Sequence, residues 1–514
     1  MRLSIQRFIM AIILLSTMLT KSFATQYYVS TTGSDTNPGT ITLPFLTLSK
    51  AVGLPSLIPG DTIYIRGGMY AVGSTISISK LGTKDSLYHL FAFPGEQPIF
   101  NFSAQSSSDG IKANGKYWHI RGIESCYAAH NGIAVNGSNN IIENCSVHDN
   151  RNSGMQFGNG ASNNSVINCD SYYNYDPPAG GNADGFSPKL DVGTGNYFYG
   201  CRAWQNSDDG WDGYLRPSDD VITTIENCWS FMNGYLKDGV TTYASMNGNG
   251  FKMGGSDAKN LRHNVVMKNC LSFFNKSKGF DQNSNWGSMT ILNCTAYNNG
   301  QGDGKPNFYV SLPLATGKVL TVENCIAVGS TGVTFSIPGI FITDSWSSPF
   351  AGATSTDFIS IDTTGVRGPR KVDGSLPDIT FMHLARGSQF INAGTNVGLP
   401  FNGSAPDLGC FESNYPTSVA NGNDMKIDGF QLLQNYPNPF NPSTTIVYQV
   451  AKGGLVTITL YDVLGRDVVT LVNEEKPSGK YTAVWNAVGM PSGMYFSRLT
   501  SNGAQQFRKM ILMK

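Results

Sequence analysis

Seven of the nine cysteines in this chain fall in one recurring phrase, and that recurrence narrows the possible folds more than any other feature. The phrases are IIENCSVHDN, VINCDSYYN, FYGCRAWQN, IENCWSFMN, MKNCLSFFN, ILNCTAYNN and VENCIAVGS. They place Cys145, Cys169, Cys201, Cys228, Cys270, Cys294 and Cys325 at intervals of 24, 32, 27, 42, 24 and 31 residues. A period near 24 residues with occasional insertions is that of a parallel β-helix, in which each coil lays short strands on the coil before. Helical repeats are disfavoured by the 58 glycines and by the alternation of small, apolar and aromatic residues. Stacked coils put like residues about 4.8 Å apart, so the cysteines form an internal column of small apolar thiols. Side chains in such a column point in parallel, which predicts free, buried thiols instead of disulfides. The asparagine beside each cysteine is expected to form a hydrogen-bonded turn ladder.

A second column follows the first. Glycine precedes an apolar, mostly aromatic residue at Gly154-Met155, Gly185-Phe186, Gly210-Trp211, Gly250-Phe251 and Gly279-Phe280. The cysteine-to-glycine distance is nine residues in three of these coils and 16 and 22 in the other two. The longer coils carry insertions at 175–181 and 235–247, which read as loops flanking a groove. With the pairs in register, the residues before each glycine are Ser153, Asp184, Asp209, Asn249 and Lys278. Those after each aromatic are Gln156, Ser187, Asp212, Lys252 and Asp281.

This register gathers Asp184, Asp209 and Asp212, with Asp208 beside them, around Lys252. Carboxylates so close repel one another and would protonate without a counter-ion. Calcium suits the set best, because every candidate ligand is an oxygen and its coordination is flexible; magnesium asks for a tighter octahedron. The plain alternative is a solvated acidic edge on the solenoid.

The segments NADGFSPKL (182–190), NSDDGWDGYL (206–215) and NGNGFKMGG (247–255) resemble polysaccharide lyase family 9, right-handed parallel β-helices that cleave pectic chains by β-elimination. The likeness runs from YYVSTTGSDTNPGT and GDTIYIRGGMY to LPDITFMHLARGSQFINAGT and GSAPDLGCFE, roughly residues 26–412. The resemblance implies calcium ligands at Asp184, Asp208, Asp209 and Asp212 and a catalytic base at Lys252. Lys189 is a candidate for holding a substrate carboxylate, against the plain reading of a solvated strand lysine. A lysine base implies an alkaline activity optimum. The expected substrate is polygalacturonate, with rhamnogalacturonan as the alternative within the same family, and a non-enzymatic β-helix adhesin as the alternative outside it. An adhesin stapled by calcium would need the acids but not the lysine.

Other chemistries find no motif. The Gly-His-Gly and Arg-Ile-Lys signatures of polygalacturonases are absent, the six histidines form no HExxH pair, and there is no P-loop. Lys plus Arg equals Asp plus Glu at 36 each, so no basic field invites nucleic acid.

The two ends speak of export. Arg2 and Arg7 precede an apolar run from Phe8 to Leu19, and Ser22-Phe23-Ala24 offers a cleavage site, so residues 1–24 read as a signal peptide and not as a membrane span. Residues 25–412 form the expected β-helix lyase domain and 413–430 a polar linker. Residues 431–514 alternate like a small β-sandwich. Their phrases NYPNPFNP, YDVLGR and SGMYF resemble the C-terminal sorting domain of the type IX secretion system, whose machinery is therefore an expected partner. The fold class expected is all-β, a right-handed parallel β-helix followed by a small β-sandwich, in a protein that is secreted or held at the cell surface.

Overall fold

The structure, a computed structural model, describes residues 24–329, 332–415, 430–433, 435, 438, 440–463 and 465–512. All but the last residue of the signal peptide expected over 1–24, and most of the linker expected over 413–430, lie outside the described residues. Two compact units are present, divided between Pro416 and Thr417.

The first unit is a parallel β-helix of three sheets, one of twelve strands and two of ten. Every strand in these sheets pairs with its counterpart one coil away, in parallel and in register. One coil shows the plan. Ile141–Glu143 belongs to the twelve-stranded sheet, Ser146–His148 to a ten-stranded sheet and Met155–Phe157 to the other, which carries the candidate site. Inward positions stack to form the core: Met155, Phe186, Trp211, Phe251 and Phe280 follow one another in register, their facing rings 4.7 to 5.1 Å apart from Phe186 onward. The cysteines are buried and free, as their column predicts.

The asparagine expectation is corrected except at one step, where Asn324 Nδ2 donates to Asn293 Oδ1 at 3.0 Å. The residue before each column cysteine, Asn144, Asn168, Gly200, Asn227, Asn269, Asn293 and Asn324, has φ between 50° and 64° and turns the chain from one sheet to the next. Asparagine and glycine recur there because they tolerate the left-handed conformation. The continuous ladder instead lies five residues after the cysteine in six coils and ends on Asn307. The Nδ2 of Asn150 donates to Oδ1 of Asn174 at 2.9 Å, and the same bond repeats through Asn206, Asn233, Asn275, Asn299 and Asn307 at 2.8 to 3.0 Å.

At the N-terminal end, the short helix Leu48–Val52, capped by Thr47, lays Leu48, Ala51 and Val52 over the core beside the first strands of two sheets. Towards the C-terminus, Phe358, Val366, Phe381, Phe390 and Leu408 cover the outer aromatics Trp204, Phe231 and Phe273. Arg370 of this covering segment and Arg202 of the coil share the buried Asp170 carboxylate. The second unit has a three-stranded and a four-stranded antiparallel sheet around one core that includes Ile446, Tyr448, Trp485, Leu499 and Met510, as expected of a small sandwich.

Candidate active site

The strands Phe186–Pro188, Trp211–Asp212, Phe251–Lys252 and Phe280–Asp281 are consecutive in one sheet, and Asp212 pairs with Lys252 while Lys252 pairs with Asp281. The glycine before each strand is needed for close approach: a Cβ on Gly210 would lie 2.0 Å from Ser230 Oγ and one on Gly250 2.2 Å from Ser272 Oγ. Held this close, the backbone continues its ladder past the strand ends. Gly185 N donates to Asp209 O and Gly210 N to Asn249 O, both at 2.9 Å, which stacks Asp184, Asp209 and Asn249 as successive rungs.

Three of the predicted acids meet. Carboxylate oxygens of Asp184, Asp209 and Asp212 lie within 4.8 Å of one another, and all three residues are buried. Asp184 Oδ2 accepts from Lys189 Nζ at 2.6 Å, Ser187 Oγ at 2.8 Å and Ser153 Oγ at 3.1 Å. Asp209 Oδ1 accepts from both N and Nδ2 of Asn249 at 2.8 Å. Its Oδ2 is 3.0 Å from Lys252 Nζ, yet receives no hydrogen bond of acceptable geometry. Lys252 Nζ is also 3.3 Å from Asp212 Oδ1, and Lys189 Nζ is 3.3 Å from Asp212 Oδ2. Asp208 stands beside this group, with its Oδ1 taken at 2.8 Å by both N and Nδ2 of Asn247. All six sequence-predicted residues therefore fall in one place, five in direct contact and Asp208 at the edge.

The charges are strongly coupled. Burial, with Asp212 and Asp209 nearby, pushes the Asp184 carboxyl up to about 6 despite Lys189. Burial and then Asp209 also raise Asp208, and burial raises Asp209 against the pull of Lys252. Burial acts on Asp212 too, but Lys252 and Lys189 outweigh it and hold its carboxyl below the usual range. Burial alone would lower Lys252; Asp209, Asp212, Asp208 and Asp184 together carry it well above the ordinary lysine value. Lys189, in the same balance with Asp184 and Asp212, is raised as well.

Sequence reasoning passed over the hydroxyl and amide groups that fix these acids: Ser153, Ser187, Asn247 and Asn249. The first two and Asn249 sit in the columns already recognised, so column position was their signal. The two expected loops meet over the site's flank, where Tyr175 stacks on Tyr243 at 6.5 Å and Ser245 Oγ donates to Ala179 O.

Residues 27–311 match the family model described as "Pel9A-like, right handed beta helix region". The chain belongs to this family. It is thus a Pel9A-like β-helix and a polysaccharide lyase by class. It is 38% identical over 415 residues to pectate lyase L of Dickeya chrysanthemi, a match that covers 78% of this chain and 93% of the relative. Among solved structures, pectate lyase Pel9A superposes with a TM-score of 0.67 at 36% identity, covering 77% of this chain and 98% of that one. A rhamnogalacturonan lyase superposes with a TM-score of 0.58 at 26% identity, covering 71% and 97%. Residues 434–513 match the model of a secretion system C-terminal sorting domain, so this Pel9A-like protein is exported, to the cell surface or beyond.

A divalent cation suits the residues of the Pel9A-like site. Four carboxylates and two ammonium groups leave two negative charges over when all are ionised, in a largely buried place. Asp209 Oδ2 is buried, with Lys252 Nζ 3.0 Å away as its counter-charge but no well-aligned donor. A cation would satisfy both at once, and an all-oxygen donor set of this kind suits a hard divalent ion.

Proposed function

We propose that the protein is a calcium-dependent pectate lyase that cleaves polygalacturonate by β-elimination. The observation that carries this reading is the lodging of Lys252 between Asp209 and Asp212, a base and its counter-charges on adjacent rungs, in a chain whose relatives include pectate lyases. A calcium ion held by Asp184, Asp208, Asp209 and Asp212 would supply positive charge to the uronate carboxylate, which otherwise opposes formation of a carbanion next to it.

Lys252 takes the proton from C5 of the uronate. The C5 electron pair then forms the C4–C5 double bond as the bond from C4 to the glycosidic oxygen breaks, and the departing oxygen gains a proton. For this, Lys252 must present a lone pair, so a site whose acids are compensated is the working form, because bare carboxylates hold the amine as ammonium. Lys189 anchors Asp184 and Asp212 from the other side and, once they are engaged elsewhere, has its ammonium free for a substrate carboxylate.

The test is absorbance of unsaturated uronate with polygalacturonate and, separately, rhamnogalacturonan, each with calcium and with chelator. Calcium-dependent signal on polygalacturonate is expected. Lys252→Ala should abolish it while circular dichroism and Tm stay as in the parent; residual turnover would remove Lys252 from the chemistry. The rhamnogalacturonan arm addresses the second reading, which the structural likeness to a rhamnogalacturonan lyase supports. Signal on neither polymer would favour an adhesin.

A further inference from the structure

A cavity of about 440 Å³ opens at the turns that precede the site-bearing sheet, and none of its lining residues belongs to the carboxylate cluster. Its walls include Tyr127, Tyr173 and Tyr175, and its charged groups include Arg151 and Lys237. The loop that supplies Tyr175 ends at Asp184, so one loop separates this cavity from the candidate active site along the chain.

Three observations give the cavity a chemistry. Gln205 lines it and is 2% exposed; its Nε2 donates to Leu236 O at 2.9 Å and Lys237 O at 3.1 Å, while its Oε1 has no donor. A buried acceptor left without a donor is costly unless something outside the chain supplies one, as a hydroxyl group would. Arg151 is exposed at the rim and is in no ion pair among the described residues, so its guanidinium fork is available to a carboxylate. The single acid in the wall, Asp149, is already matched: Lys237 Nζ lies 2.9 Å from its Oδ1 and His148 Nδ1 2.7 Å from its Oδ2. The cavity therefore presents an excess of positive charge beside tyrosine rings. Lys237 Nζ sits 4.7 Å from the ring centre of Tyr173 and braces that ring.

Flat apolar rings, a hydroxyl acceptor and a free guanidinium are the groups that recognise a pyranose bearing a carboxylate. We propose that this cavity is a second binding site for an acidic sugar unit, separate from the site of bond cleavage, which retains the polymer or its fragments while Lys252 works on another part of the chain. The class of ligand follows from the cavity alone; its identity as galacturonate rests on the lyase reading above.

Calorimetric titration of the full-length Lys252→Ala protein with trigalacturonate tests this in the presence of calcium. Two binding events are expected. Adding Arg151→Ala should weaken one of them by about tenfold or more and leave the other in place; adding Tyr173→Ala should act on the same one. A neutral galactan trisaccharide should fill neither the Arg151-dependent site nor displace trigalacturonate from it. In the protein with Lys252 intact, Arg151→Ala should raise KM on polygalacturonate while kcat on trigalacturonate stays unchanged. A single binding event unaffected by Arg151→Ala, or equal binding of the neutral sugar, overturns the inference and leaves the lyase reading standing. Arg151-dependent binding, together with no unsaturated product from the protein that keeps Lys252, would sink the lyase reading and leave the cavity's ligand class intact.

Discussion

Asp209 gives one carboxylate oxygen to Asn249 and turns the other towards Lys252, where it lacks a hydrogen bond. Because that oxygen is buried within the carboxylate cluster and has no well-aligned donor, Asp209→Ala should raise the calcium concentration for half-maximal activity by about tenfold or more. A calcium titration of lyase activity checks this, and an unshifted midpoint would take Asp209 out of the ligand set. The acids and Lys252 were legible in the sequence because charged residues stand out among the small and polar residues of the columns. Ser153, Ser187 and Asn249 were not, since serine and asparagine fill turns throughout the chain and only their contacts distinguish these three. Asp208 was placed correctly beside the cluster, but its pairing with Asn247 depends on how the 235–247 loop returns, which spacing alone does not reveal.

At the scale of the coil, the turn before each cysteine and the ladder after it use the same amino acid for different reasons. Asn144 and its equivalents answer a demand of backbone conformation, whereas Asn150, Asn174, Asn206 and Asn233 answer a demand for buried hydrogen bonds. The sequence phrases end on the ladder residue in six coils, so its recurrence was visible; its role was not, because periodicity reports that a position matters and not which group it satisfies. Asn233→Leu would take the acceptor from the backbone N of Asn206 and remove one of the two bonds of Asn206 Nδ2 and of Asn275 Oδ1, and should cost about 1–3 kcal/mol for the group left without a partner. Urea unfolding measures it, and a loss under a few tenths would demote the ladder to ornament. A pH-dependent case lies at Asp344, whose Oδ1 accepts from Cys325 N at 2.9 Å while its Oδ2 is buried without a partner. Burial pushes this carboxyl up to about 8, from an ordinary value near 3.8. The folded state thus keeps a proton that the unfolded chain has released. The stability this confers is full below about pH 4 and is lost as pH rises through about 8. Tm of the parent should fall more steeply across that window than Tm of Asp344→Asn, and parallel curves would argue against a neutral acid there.

For the molecule as a whole, the repeat made the β-helix readable from one residue type, and the alternating C-terminal runs made the sandwich readable as well. The covering segment that includes Leu408 was harder to place, since it has no period and its position is set by outward aromatics of coils about 80 residues or more earlier. All nine cysteines are free and buried, so an exported protein of this size stands without a single cross-link. Dithiothreitol should therefore leave Tm unchanged, and a drop on reduction would mean that disulfides form in solution. The helix Leu48–Val52 carries a consequence of its own. A stack of parallel strands has a growing tip at each extremity, and any second copy with matching spacing could add to it. By setting a turn of helix crosswise over the first rung, the chain withdraws one tip from such addition and acts as its own chain terminator, which keeps a fibre-like architecture discrete.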